Sequence, residues 1–253
     1  MSFIFIICLS FSLSNCSEKE CCEPPTLEGK LNLVFRPIYD AKPLIINQVY
    51  DYKGKKVRFE RFQILLTNTC SADGSTQSPT TCVGSNNVYL LNFTTLDDST
   101  SARAGFKLQL TNLAEFEKSQ ISFSLGVSNT LNAKEPKDFT SNNPLSDGTN
   151  YWVDWKSYIF AKIEGKIDTA GNGRFDKPFT LHTGGNEALY NMSVNNQLNI
   201  DKMGSSTLNF EVDMNTILRD IDLLTVKPLH RESEKPTMLV LANAIGKSIS
   251  AKN

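Results

Sequence analysis

The chain has 253 residues, with 26 Lys and Arg against 27 Asp and Glu, and a formal net charge of −1. This balance argues against a nucleic-acid-binding protein, which needs a basic surface to release counterions from phosphate. Hydrophobic residues make up 40% of the chain, enough to fill a sizeable core and to exclude wholesale disorder. With only two histidines, the chain cannot form a zinc site of three histidines, and histidine-based catalysis is hard to assemble.

Residues 3–13 form an uncharged apolar run that is too short to span a bilayer but is typical of the h-region of a signal peptide. The run ends in the tetrapeptide LSNC at 13–16, which resembles a bacterial lipobox. We therefore predict a lipoprotein signal peptide at 1–15, a lipidated Cys16 and a polar tether at 16–28. An ordinary secretion signal and an N-terminal strand are the alternative interpretations.

This N-terminal pattern predicts where the protein is found. A lipidated Cys16 predicts an outer-membrane lipoprotein of a Gram-negative bacterium, in the periplasm or at the cell surface. Contact with the membrane would then be through the lipid anchor only.

Alternation of apolar and polar residues, the pattern of half-buried strands, recurs along the rest of the chain. It is clearest at 121–127 and 208–214, and the longest predicted strand covers 151–167. Turns rich in Asn, Gly, Asp and Ser separate these strands. We therefore predict one all-β domain over 29–253, an antiparallel β-sandwich, with a short C-terminal helix at 236–250 that has a proline at its start.

Two cysteines flank the polar segment SADGSTQSPTT, which has no apolar periodicity. Cys70 and Cys82 are predicted to form a disulfide, since an exported protein can keep one and closing so short a loop stabilises the fold. A thiolate metal site is the alternative, but two cysteines without a nearby histidine lack the four ligands of structural zinc.

The segment DTAGNG, which starts at Asp168, invites comparison with a calcium-binding loop. An EF-hand needs an oxygen ligand at loop position three and a bidentate glutamate at position twelve, where this chain has Ala170 and Phe179. The comparison therefore fails, and the Asn-Gly pair predicts a hairpin turn instead.

The sequence motifs of common enzyme classes are absent, including the nucleophile elbow, the Walker loop and the HExxH zinc motif. The acidic residues Glu117, Asp154, Glu164 and Asp168 stand among polar positions, where solvated charges are the usual case. We therefore do not predict an enzyme, and a hydrolase of an extracellular polymer is the least favoured hypothesis.

Several short motifs in the middle of the chain resemble, in their order, the MbnP-like family of exported copper-binding proteins. They are ISFSLGVSNTLN from Ile121, Asn143-Pro144-Leu145, YWVDW from Tyr151, Tyr158-Ile159-Phe160 leading to Glu164-Gly165, and FTLHTGG from Phe179. Each motif is weak alone, and their order makes the set specific. The resemblance covers roughly residues 31–194.

The resemblance implies an all-β exported protein that binds copper through histidine. It also implies, for some members, an oxidised tryptophan at the metal site and a di-haem peroxidase-like partner that performs the oxidation. Carried over residue by residue, His182 matches the histidine before the Gly-Gly pair, while Trp152 and Trp155 match the tryptophan pair.

One position departs from the pattern. Asn143 stands where related sequences often have a histidine before Pro-Leu. An amide oxygen is a hard ligand that suits Ca²⁺ or Mg²⁺ better than copper. His230 is the only other histidine, and it would have to fold back from a distant part of the chain.

The same residues have ordinary structural interpretations. A lone histidine such as His182 more often makes a structural hydrogen bond than a metal bond, and two tryptophans three residues apart on a strand face opposite sides. Two functional hypotheses follow. The first is a non-catalytic copper-binding protein with His182 and Trp152 nearest the metal. The second, which Asn143 favours, is a metal-free interaction module of the same fold.

Overall fold

The computed structural model describes residues 29–72, 81–82, 87–113, 116–200 and 204–252. The predicted signal peptide, Cys16 and the tether lie outside these residues.

Strands dominate the described part of the chain. In chain order they are β1 (Gly29–Tyr39), β2 (Lys42–Pro43), β3 (Val49–Tyr52), β4 (Lys55–Ala72), β5 (Thr81–Cys82), β6 (Val88–Asn92), β7 (Phe106–Leu113), β8 (Phe116–Leu125), β9 (Tyr151–Trp152), β10 (Ser157–Asp168), β11 (Lys177–Gly184), β12 (Tyr190–Ile200), β13 (Ser205–Asp213) and β14 (Ile249–Lys252). The α-helices are α1 (Ser99–Ala104), α2 (Asn129–Asn132), α3 (Met214–Ile217) and α4 (Lys235–Ser248).

These strands form two sheets. The smaller sheet has five strands in the order β14-β13-β1-β2, with β7 also pairing with β1. The larger has nine strands and follows the order β11-β10-β4-β8-β12, with β3, β5 and β6 also pairing with β4 and β9 with β10. Within the described ranges, only β1 and β13 pair in parallel. The all-β fold predicted from the sequence is confirmed, with this parallel pair as an addition.

The main core lies between the sheets and is rich in phenylalanine. Phe35 of β1 stacks on Phe210 of β13, with 4.8 Å between their ring centroids. Both rings meet Phe123 of β8 in edge contacts, at 6.0 and 5.7 Å, and all three side chains are buried. Because Phe123 belongs to the larger sheet, these contacts fix one sheet on the other.

The predicted C-terminal helix is confirmed as α4, with Pro236 in its first turn and Met238, Leu241 and Ile245 buried. It packs against β11 and β12 and directly follows the segment that carries His230. Within the part of the chain that the structure describes, no helix combines the length and apolar character needed to cross a membrane.

The predicted strand 151–167 is wrong at its N-terminal end. β9 ends at Trp152, a turn occupies 153–156, and β10 begins at Ser157. Trp155 therefore lies in a hairpin turn, and the prediction that the two tryptophans face opposite sides of one strand fails with it. Of the residues that usually mark a turn, the turn sequence VDWK contains only Asp154.

The hairpin predicted after β10 is confirmed, and Asp168 holds its turn. The buried carboxylate of Asp168 accepts hydrogen bonds from the backbone N–H groups of Gly171 at 2.7 Å, Asn172 at 3.2 Å and Gly173 at 2.7 Å. Because the turn itself occupies both carboxylate oxygens, Asp168 has a structural role.

Cys70 and Cys82 are direct partners in the antiparallel register of β4 and β5. Residues opposed in this way have Cα atoms about 4.5–5.5 Å apart, within the range of about 4.4–6.8 Å found in disulfides. The backbone therefore permits the predicted disulfide.

We predict that the protein contains a Cys70–Cys82 disulfide. Peptide mapping without reductant should recover the two residues in one cross-linked species, and Cys70→Ser should lower the free energy of unfolding by about 2–3 kcal/mol because the loop closure is lost. Quantitative alkylation of both thiols in the unreduced protein would contradict this prediction.

Candidate metal centre

His182 lies on β11, an edge strand of the larger sheet, opposite Lys162 of β10. Glu164 is two residues further along β10, and alternate residues of a strand share a face, so Glu164 and His182 are neighbours. The Nε2 atom of His182 lies 2.7 Å from Oε1 of Glu164. The side chain of His182 is 8% exposed and that of Glu164 is 27% exposed, so the histidine is shielded from water while the carboxylate is half-buried.

The protonation states of this pair follow from their surroundings. The hydrogen bond from His182, together with the charge of nearby Arg61, lowers the pKa of Glu164, so this carboxylate is ionised at neutral pH and can only accept. Nε2 of His182 therefore carries the proton and donates it. Burial lowers the pKa of His182, although its hydrogen bond to Glu164 acts in the opposite direction. His182 is thus a neutral imidazole at neutral pH, with its lone pair on Nδ1.

The second ring nitrogen of His182, Nδ1, is buried and accepts no hydrogen bond from the residues that the structure describes. An unsatisfied buried polar atom costs about 1–3 kcal/mol. A metal-binding histidine commonly donates its other ring N–H to a carboxylate, as His182 does to Glu164. The arrangement therefore suits a histidine that gives Nδ1 to a metal.

His230 reaches this site because its chain segment covers the open edge of β11. The backbone N–H of Leu229 donates to the carbonyl of Thr180 at 3.2 Å, and the ammonium of Lys177 donates to the carbonyl of Leu224. Leu229 is buried, which anchors the segment. The ring of His230 consequently lies 5.0 Å from the ring of His182, measured between centroids, at an angle of 79°.

Trp152 lies beside the two imidazoles, and Trp155 packs on Trp152. The Trp152 ring centroid is 6.1 Å from that of His182 and 6.3 Å from that of His230. Trp155 contacts Trp152, with 4.7 Å between their ring centroids. The hairpin turn at 153–156 makes this contact possible because it brings Trp155 back toward the ring that precedes it.

Gly184 explains how Trp152 comes so close to β11. A Cβ atom at this position would lie 2.7 Å from Cζ3 of Trp152 and 2.6 Å from the carbonyl oxygen of Tyr158. A residue with a side chain would therefore push the tryptophan ring away. The glycine that follows His182 and Thr183 is required by the packing of Trp152.

The predicted site residues thus fall into two groups. The structure brings His182, Trp152 and Trp155 together, and it leaves Asn143 apart. The side-chain oxygen of Asn143 accepts the N–H of Leu145 at 2.9 Å and caps a short 3-10 helix. Asn143 also lines a cleft of about 620 Å³ on the side of β6 and β7, to which neither the tryptophans nor His182 contribute.

Two further site residues, Glu164 and His230, were not in the predicted set. Glu164 was interpreted as a solvated charge, but it accepts the hydrogen bond of His182. Its place in the motif that ends in Glu164-Gly165 was the available signal. For His230 the only signal was the scarcity of histidine, because no local pattern connects it with β11.

The site has few side chains that can bind a metal ion. Within the described residues, no group of three or more His, Cys, Asp and Glu side chains is arranged to hold a metal ion. What the site offers is two imidazoles and the face of an indole. Two imidazole nitrogen donors are too few for structural zinc and the wrong type for Mg²⁺ or Ca²⁺.

The MbnP family model matches residues 28–236. Among solved structures, the chain is similar to MbnP from Methylosinus trichosporium, with a TM-score of 0.59 and 12% sequence identity, covering 88% of this chain and 98% of that chain. No curated protein sequence matches the chain. The family match spans most of the chain and all of the residues at the candidate metal centre, and the chain belongs to the MbnP family.

Proposed function

We propose that this protein is an exported, non-catalytic lipoprotein that binds copper through His182 and His230, beside Trp152 and Trp155. One observation supports the proposal above all others. The only two histidines of the chain meet its only two tryptophans in one place, although they come from three separate segments.

The unpartnered nitrogen of His182 adds a second line of support. A histidine with a purely structural role would be expected to satisfy both ring nitrogens once buried. Nε2 of His182 is hydrogen-bonded to Glu164, whereas Nδ1 has no partner among the described residues. The centroid of this ring lies 5.0 Å from that of the His230 imidazole. A metal bound by both rings would remove the cost of the bare nitrogen.

The donor chemistry favours copper over other common metals. Imidazole suits copper, zinc, iron and nickel, whereas hard cations take oxygen ligands. Structural zinc is bound by four protein ligands, and this site supplies two imidazoles. Copper, Cu(I) in particular, is stable with few ligands, and an indole face beside it attracts positive charge.

Copper binding should depend on both histidines. We expect His182→Ala and His230→Ala each to weaken copper affinity by more than about 100-fold, beyond the ~10–100-fold that loss of an outer partner costs. Titration of purified protein with Cu(I) and with Cu(II), using a competing chelator, measures this.

Asn143→Ala is the matched control for that titration. The structure makes Asn143 a helix cap apart from the imidazoles, so its replacement should lower stability slightly and leave copper affinity unchanged. Wild-type binding weaker than about 1 μM, or His182→Ala and His230→Ala variants that bind like the wild type, would overturn the copper proposal.

Glu164 should tune the site through His182. In Glu164→Gln the amide can still accept the Nε2–H bond, but the charge that orients and polarises the imidazole is lost. We expect copper affinity to fall about 10- to 100-fold with little change in thermal stability. Glu60→Gln, on the neighbouring strand β4 and paired with Arg58, is the control that should leave affinity unchanged. Equal affinities for the Glu164→Gln protein and the wild type would show that the carboxylate has no part in metal binding.

The lipoprotein part of the proposal rests on the LSNC tetrapeptide at 13–16. Cys16→Ala should move the protein from the membrane fraction of the native host to the soluble fraction, because the lipid attachment site is removed. A variant that still sediments with membranes would contradict lipidation at Cys16.

A metal-free interaction module is the second candidate function. Val153, at the tip of the hairpin turn, is 77% exposed, and Trp155 beside it lines a cleft of about 400 Å³ together with Asp154, Lys156 and Lys235. An exposed apolar side chain next to a polar cleft suits a protein partner. Copper binding that depends on both histidines would count against this alternative.

A further inference from the structure

Lys162 is a buried lysine next to the candidate metal centre that copper binding as proposed does not use. It lies on β10, opposite His182 and two residues before Glu164, and it is 4% exposed. Lysine is almost never fully buried unless its charge is paired. Its position therefore calls for an explanation.

The ammonium of Lys162 is held by neutral groups. Its Nζ donates to the carbonyl oxygen of Thr149 and to the side-chain oxygen of Asn150, each at 2.7 Å. Within the described ranges, no carboxylate lies at ion-pair distance from it. Removing an ammonium from water is costly, and two neutral acceptors offset that cost less well than a carboxylate would. Stability alone thus gives a weak reason for a lysine here.

The two acceptors lie directly before β9, the strand that carries Trp152. Thr149 and Asn150 end a short 3-10 helix, and the next two residues, Tyr151 and Trp152, form β9. Asn150 is itself buried. These bonds therefore attach Thr149 and Asn150 to β10, shortly before Trp152, whose ring lies beside both imidazoles.

A second anchor acts at Trp152 itself, where β9 pairs with β10: the backbone of Trp152 pairs with Ser157, and that of Tyr151 pairs with Tyr158. The ring itself rests on Gly184 of β11. The Lys162 bonds thus hold the chain just before β9 and the pairing with β10 holds β9 itself, while Gly184 supports the ring.

We propose that Lys162 is a positioning residue that holds Trp152 against His182 and His230. Its effect on copper affinity rests on the proposed function, whereas its effect on Trp152 does not. The chain has two tryptophans, both at this site, so tryptophan fluorescence reports on the site alone, with or without metal.

The test compares Lys162→Met, which keeps an unbranched side chain of similar length but removes its N–H donors, with Lys162→Arg, which retains donors. Lys166→Met is the matched control, because Lys166 lies on the same strand with its side chain 42% exposed. Asn150→Ala removes one of the two acceptors that bind the Lys162 ammonium. The readouts are tryptophan emission and acrylamide quenching of the metal-free full chain, copper affinity, and the thermal midpoint.

We expect Lys162→Met to shift tryptophan emission to the red, to increase quenching by acrylamide, and to weaken copper binding about tenfold. Asn150→Ala should act in the same direction, Lys162→Arg should restore most of the wild-type emission, and Lys166→Met should have no effect. A purely structural lysine would change the thermal midpoint and leave the emission and quenching of the folded protein as in the wild type.

Unchanged emission and quenching in the folded Lys162→Met protein would overturn the proposal. If Lys162→Met does not fold, Asn150→Ala decides by the same readout. If the wild type binds no copper, the copper proposal fails while the fluorescence measurements still decide the role of Lys162.

Discussion

The hydrogen bond between His182 and Glu164 is the contact on which the candidate metal centre depends. It fixes the proton on Nε2, leaves the lone pair on the buried Nδ1, and holds the imidazole in one orientation. The contact exists because β10 and β11 keep one register from Ala161 to Ile167, after a shift between Ile159 and Ala161. The Asp168 turn sets one end of that register. Gly165 helps to keep it, since a Cβ there would lie 2.6 Å from the ring of Phe179 on β11.

Around this rigid pair, the rest of the site comes from two segments that dock onto the same two strands. The segment that ends at His230 covers the edge of β11 through the bond between Leu229 and Thr180. Covering an edge strand also protects it from pairing with other chains, so one contact serves both the fold and the site. The hairpin that carries the tryptophans is anchored on β10. The sheet therefore supplies His182, and the loops supply the rings of His230 and Trp152 that lie beside it.

The sequence predicted the strands well because a half-buried strand repeats every two residues, as β8 and β13 do. It failed at 153–156 because a four-residue turn without Gly, Pro or Asn continues the same alternation. Three of the motif residues, His182, Trp152 and Trp155, lie close together in the structure, since they lie on or beside paired strands. His230 could not be assigned from the sequence, because its approach depends on a backbone bond between distant segments. Asn143 also has a conspicuous motif position, but in the structure its side chain caps a short 3-10 helix.

The proposed function requires both histidines of the chain to bind one copper ion. X-ray absorption at the copper edge of the copper-loaded protein tests this requirement, because the outer scattering of imidazole rings counts the histidines around the metal. We expect two imidazoles per copper in the wild type and one in a His230→Ala protein loaded to the same extent. A spectrum with no imidazole scattering, or one that His230→Ala leaves unchanged, would contradict it.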